Sequence, residues 1–241
     1  MLLAEPVWVR HREGTVHAFL SVHTLEGRMI AVGDLTQVLD GDRITLKLTF
    51  RFKDGSIEEE TTVFSQRKVF RLIRDHLVQR GPSFPNPIDM LIEIGTGNVT
   101  VHFVDADGRD SVNTDHFDFP PDLANGLLLT LVKNVRKTEE TKVSFLTAER
   151  KPMLVKLSIS TGGEEKFRIG NSYRKAIRFI VRVELQGITG LLAPIFGQQV
   201  PDTYIWIING EAPAVLKLQT PAYIGGPVWI TKQTSPEWLN E

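Results

Sequence analysis

The chain has 241 residues, 28 Lys and Arg against 29 Asp and Glu, a formal net charge of -1, 41% hydrophobic residues and no cysteine. This describes a folded chain able to bury roughly 70–75% of its unfolded surface, and it excludes extended disorder. The near-neutral balance argues against general nucleic-acid binding, and the lack of cysteine excludes a thiol nucleophile, thiolate metal ligation and any disulfide.

At the N-terminus, Met1-Leu2-Leu3-Ala4 meets Glu5 and Pro6 at once, far short of the apolar core of a secretory signal. As written the chain reads as cytoplasmic; a leader removed before Met1 would make it periplasmic. His17 and His23 would share one face of a single strand, but zinc needs a further close ligand, so they read as polar-face residues and no metal is expected.

Strict alternation begins at Arg43, where Ile44, Leu46, Leu48, Phe50 and Phe52 point one way and Arg43, Thr45, Lys47, Thr49 and Arg51 the other. Such a run is a strand with one buried and one wet face. Glu58, Glu59 and Glu60, next to the Asp54-Gly55 turn signal, form the densest carboxylate run and read as a solvated hairpin arm rather than an acid–base site. The segment from Gln66 to Val78 fits strand and helix periods alike, and its surroundings favour a strand. Gly81 to Pro87 is too rich in proline for either and reads as an extended connection. Alternation returns at Val99, Val101 and Phe103.

One helix is expected, opening at Pro120-Pro121-Asp122 and running through Leu123, Ala124, Leu127, Leu128, Leu129, Leu131 and Val132 to about Asn134. Pro121 suits a first helical turn and Asp122 complements the helix dipole. Because the helix is apolar nearly all round, it needs cover on more than one side, as a plug between two sheets would have. Strands follow at Val155 to Ile159, Ile177 to Leu185, Tyr204 to Ile208 and Val215 to Leu218. Glu26-Gly27, Asp54-Gly55, Thr96-Gly97-Asn98, Asp107-Gly108 and Gly162-Gly163 mark hairpin turns. Arg168, Arg174, Lys175, Arg178 and Arg182 surround Phe167, Tyr173 and Phe179; alternation accounts for these cations as the wet face of a strand, with an anion-binding patch as the alternative.

The expected fold is therefore mainly β, α+β at most, with two curved antiparallel β-sheet lobes or half-barrels around one central helix. The lobes span 1–119 and 137–241, and the helix 120–136, in one integrated unit. The longest uncharged stretch, Leu185 to Pro201, is too interrupted by Gly, Gln and Pro for a transmembrane helix. It reads either as a buried strand and turn or as a flap over an apolar cavity. On the second reading Leu191, Leu192, Ile195 and Phe196, with Leu127 and Leu131, are the candidate ligand-binding residues.

The Pro120-to-Gly126 helix start between two β regions, with Gly225-Gly226-Pro227-Val228-Trp229 near the end, resembles an uncharacterised bacterial family of two-lobed antiparallel β proteins. That family is similar in outline to the half-barrel lipoprotein carriers of the bacterial envelope, whose open half-barrel holds acyl chains. The resemblance implies non-enzymatic binding of an apolar small molecule or lipid, and no catalytic residues, cofactor or nucleic-acid partner. Two other classes stay open. One is a structural or protein-interaction module docking through sheet edges or the Trp229-to-Trp238 tail; the other is a hydrolase whose site is assembled from distant residues such as His76, His116 and Asp122. No G-x-S-x-G, H-E-x-x-H or phosphate-loop motif supports the last.

Overall fold

The computed structural model describes residues 6–105, 107–184 and 200–236. The first half holds β1 (Val16–His23), β2 (Met29–Asp40), β3 (Arg43–Phe52), β4 (Ile57–Gln66), β5 (Phe70–Arg80), β6 (Ile88–Glu93), β7 (Asn98–Val104) and β8 (Asp110–His116). After α1 (Leu128–Asn134) come β9 (Thr141–Leu146), β10 (Leu154–Ile169), β11 (Ser172–Glu184), β12 (Thr203–Ile208), β13 (Ala214–Pro221) and β14 (Val228–Thr234). All strands join one antiparallel 14-stranded sheet in the order β8-β7-β6-β5-β4-β3-β2-β1-β14-β13-β12-β11-β10-β9. Among the described residues the protein is mainly β with one short helix. Each half is a meander closed by short turns, and pairing of β1 with β14, from Phe19 opposite Thr234 to His23 opposite Ile230, makes the two halves one sheet.

Alternating side chains give this sheet one apolar face, and the sheet curls to bury it. One core cluster joins Ile44, Phe64, Phe70, Leu72, Met90, Ile92, Val99 and Val101 from the first half to Val143, Leu157, Ile159, Phe179, Ile205 and Ile207 from the second. Residues so far apart along the sheet meet only if it is strongly curved. A second cluster forms at the other end from Val22, Ala31, Phe50, Phe52 and Phe84, with Tyr223 and Trp229 against it. The edge strands β8 and β9 are not hydrogen-bonded to each other in the sheet. Around them, Asn113 of β8 donates to the Arg150 carbonyl at 3.2 Å, and the Arg150 guanidinium lies over the Phe103 ring.

The helix is shorter than the sequence suggests, Leu128–Asn134 in place of a start at Pro121. Gly126 has φ +62 and the Leu127 N–H donates to the Ala124 carbonyl, so residues before 128 form turns rather than a continuous helix. Asp122 does not cap a helix; it is drawn into β9 and β10, where it accepts from Ser144 Oγ at 2.9 Å and pairs with Lys156 Nζ at 3.1 Å. Backbone bonds from Ala124 to Ser144 and from Ser144 to Asp122 stitch the same turn along β9. Gly162-Gly163 is likewise no hairpin turn, since β10 passes through it with a register shift between Thr161 and Glu164 and turns only at Gly170-Asn171. Ile180, which breaks the alternation of its strand in sequence, packs over Gly162 at that shift. In the ambiguous Gln66-to-Val78 segment Gln66 ends β4, residues 67–69 form the connection, and Phe70 onward is β5.

Candidate functional site

Cross-strand register on the concave face sets out three neighbouring rows. The first runs Leu20, Gly33, Phe50, Glu58, Gln79, Ile88; the second Leu35, Leu48, Glu60, Leu77, Met90; the third Gln37, Leu46, Thr62, Asp75, Ile92. The second row is apolar apart from Glu60, the first also carries Gln79 and the third Gln37 and Thr62, and each has one carboxyl where it crosses β4 or β5. The two ends of the interior are dry: Ile44 and Phe64 are fully buried, and Phe52 and Phe84 nearly so. Between them Leu35, Leu46, Leu48, Glu58, Glu60 and Leu77 keep part of their surface accessible. The middle of the concave face thus sets partly exposed leucines beside acids and amides.

The carboxyls are held in different ways. Asp75, with 1% of its surface exposed, accepts from the Thr62 hydroxyl at 2.8 Å, and Gly126 lies so close to this pair that a methyl group on it would collide with both side chains. Glu58 accepts from Gln79 Nε2 at 2.8 Å, and the same amide reaches the Ala222 carbonyl of the β13–β14 turn at 3.5 Å, across the interior. Burial pushes the Glu58 carboxyl up to about 7, against the opposing pull of the Gln79 bond. Asp75 is raised to about 6, again chiefly by burial, with the Thr62 hydroxyl and the charge of His76 working the other way. Glu60 is raised well above the usual carboxylate range by burial and then by repulsion from Asp75 and Glu58. Among the described residues none of the three pairs with a Lys or Arg. Three acids of raised pKa on one face accept protons readily and disfavour a buried anion.

In the sequence Glu58 and Glu60 read as part of a solvated hairpin arm because a run of three glutamates next to a Gly turn is usually solvated. Alternation divides the run: Glu59 is on the outer face, while Glu58 and Glu60 share parity with Thr62, Phe64 and Gln66. The tight turn at Asp54-Gly55 places Ile44 opposite Phe64, and that register puts Leu48 opposite Glu60. The signal was therefore the shared parity of the carboxylates with Phe64.

The residues singled out from sequence go elsewhere. Leu127 and Leu131 are buried in the main core and line, with Val7, Phe70, Asp122, Leu123 and Val143, a void of about 10 Å³, the room of a single water. Leu191, Leu192, Ile195 and Phe196 lie outside the described residues. His76 bonds Asp89 Oδ1 at 2.8 Å in the ladder of β5 with β6, His116 contacts Asn98 at 3.4 Å on edge strand β8, and Asp122 is held by Ser144 and Lys156. The structure does not bring these three together. His17 and His23 also part, to Asp34 and to Ser21 with the Gly27 carbonyl. Among the described residues no three His, Asp or Glu side chains are grouped to hold a metal ion, and no helix is long and apolar enough to cross a membrane.

No protein-family model matches the chain, and no curated protein matches it by sequence. Among solved structures the chain is similar to the crystal structure of a β-barrel-like protein of Domain of Unknown Function DUF1849 from Brucella abortus, at 7% identity and a TM-score of 0.48, with 95% of this chain and 100% of that one covered.

Proposed function

We propose that the protein is a non-enzymatic binder of a lipid-like or other apolar small molecule, seated on the concave face between the two dry clusters. The observation that carries this reading is the contrast along that face. Leu35, Leu46, Leu48 and Leu77 keep accessible surface in the middle, while Ile44, Phe64, Phe52 and Phe84 at either end do not. Apolar side chains left partly open inside a curved sheet gain free energy when an apolar ligand covers them, about 25 cal/mol per Å² of surface removed from water. The half-barrel lipoprotein carriers named above offer an analogy for such a seat. The portion of the ligand next to Glu58, Glu60 and Asp75 is uncharged, cationic or a hydrogen-bond donor, because a second anion there would add to a repulsion these acids already relieve by holding protons.

Native mass spectrometry of freshly purified protein tests the reading through mass beyond 27.1 kDa that is released on denaturation. A fluorescent neutral acyl probe provides the second readout. Leu48→Gln puts a polar group into the middle row, and it is expected to weaken probe binding about tenfold, the equivalent of 1.4 kcal/mol, while the urea midpoint moves little because Leu48 is only half-buried. The absence of both bound mass and probe binding in the parent protein would sink the proposal.

A further inference from the structure

β10 and β11 are longer than their neighbours. β9 pairs with β10 only from Leu154 to Ile159, and β12 pairs with β11 only from Ala176 to Val181. Residues 166–175 are therefore paired in the ladder only with each other, from Lys166 opposite Lys175 to Ile169 opposite Ser172, and they form a two-stranded arm that extends past the sheet and turns at Gly170 with φ +54. Lys166 to Lys175 includes four cations, Lys166, Arg168, Arg174 and Lys175, and no carboxylate, in a chain whose net charge is -1. The acids at the base are engaged already: Glu164 pairs with Lys175 at 3.0 Å and Glu165 with Arg178 at 2.9 Å. Lys166, Arg168 and Arg174 have no carboxylate partner among the described residues and are exposed.

The arm also shows water large apolar groups. Ile169 is 59% exposed and Tyr173 69%, and Phe167, half-buried, shares a face with Ile169. Lysines and arginines alone would be accounted for as guards against edge-to-edge association of an unpaired hairpin. Ile169 and Tyr173 at the tip are not, since they make such association easier.

We propose that this arm docks tip-first on an anionic lipid surface, with Ile169 from one face and Tyr173 from the other entering the headgroup layer while Lys166, Arg168 and Arg174 meet lipid phosphates. Aromatic rings are at home at the membrane–water interface, and cations beside them are attracted to the negative leaflet. A nucleic acid is the poorer match, because the two rings, Phe167 and Tyr173, lie on opposite faces of the arm and cannot stack successive bases on one face. The proposal does not depend on what the concave face binds.

Flotation of the full chain with vesicles of phosphatidylcholine plus phosphatidylglycerol, against vesicles of phosphatidylcholine alone, tests it. Binding to the anionic vesicles alone is expected, weakened strongly at roughly 0.5 M salt. Each cation near the surface is worth about a factor of five, so Lys166→Gln, Arg168→Gln and Arg174→Gln together are expected to weaken binding about 100-fold. The parent chain has no cysteine, so a dye on Ser172→Cys reports the tip alone and is expected to shift to the blue on anionic vesicles. No binding of the parent chain, equal binding to both vesicle types, a dye that does not respond, or tighter binding to a DNA oligonucleotide at the same salt would each overturn the proposal.

Discussion

The three concave-face acids make stability depend on pH in a direction opposite to that of most carboxylates. A salt-bridged carboxyl binds its proton more weakly when folded, and the fold gains as pH rises. Here Glu58 and Asp75 bind theirs more tightly when folded, at about 7 and about 6 against ordinary values of 4.5 and 3.8. Their contribution is fully present below the ordinary values, where both states are protonated, and is lost as pH rises through the folded ones. Between about pH 5 and about pH 8, Glu58 accounts for a loss of up to about 3 kcal/mol and Asp75 for about 1 kcal/mol, at about 1.4 kcal/mol per pH unit of unequal titration. Glu60 adds a loss of the same sign.

The combined variant Glu58→Gln with Asp75→Asn removes both titrations and keeps the shapes. The Gln79 amide still has an oxygen to bond, and the Thr62 hydroxyl still donates to Oδ1 of residue 75. Urea unfolding of parent and variant across this range is expected to show the variant's advantage over the parent growing by up to about 4 kcal/mol from about pH 5 to about pH 8. A parent of constant stability across the range, or a variant that declines as steeply as the parent, would refute the assignment of these carboxyls to the interior.

Two further changes probe the turn that lies against this face. Gly126→Ala forces an L residue to φ +62 and drives a methyl group into Thr62 and Asp75, and a loss of about 3 kcal/mol in urea unfolding is expected. Asn125 donates to the Leu146 carbonyl and accepts from the Leu146 N–H, both at 2.8 Å and both buried; Asn125→Ala leaves two backbone groups of β9 unpaired, and a loss of about 3 kcal/mol is expected by the same assay, with Asn125→Asp recovering only the bond to the N–H.

Much of the fold was legible because alternation and glycine turns are local signals. Arg43–Phe52 is a strand with the bounds its pattern announces, and Glu26-Gly27, Asp54-Gly55, Thr96-Gly97-Asn98 and Asp107-Gly108 all lie between paired strands. What failed were positions where a distant strand decides. Pro121 and Asp122 carry every local sign of a helix start, yet Ser144 and Lys156, more than twenty residues on, bind the Asp122 carboxyl and hold the backbone along β9. Gly162-Gly163 reads as a turn until the partner strand, with Ile180 packed over it, carries the ladder past. Pairing of β1 with β14, which joins two meanders into one sheet, has no local signature at all.

The candidate site shows the same division between local composition and register. Three consecutive glutamates look solvated in composition, and the middle one is on the outer face; the outer two follow the parity of Phe64 into the interior. A sequence selected for stability alone would place leucine at Glu60, whose cross-strand neighbours Leu48 and Leu77 are both apolar and whose hydration is reduced at some cost. Acids in three adjacent rows of a face that also buries Phe50, Phe64 and Met90 are a local conflict of the kind that marks functional positions. Apolar replacement decides between function and accident. Glu60→Leu is expected to raise the urea midpoint above about pH 7, and on the reading proposed above it alters probe binding as well, because it removes one of the polar groups that a ligand on this face would meet.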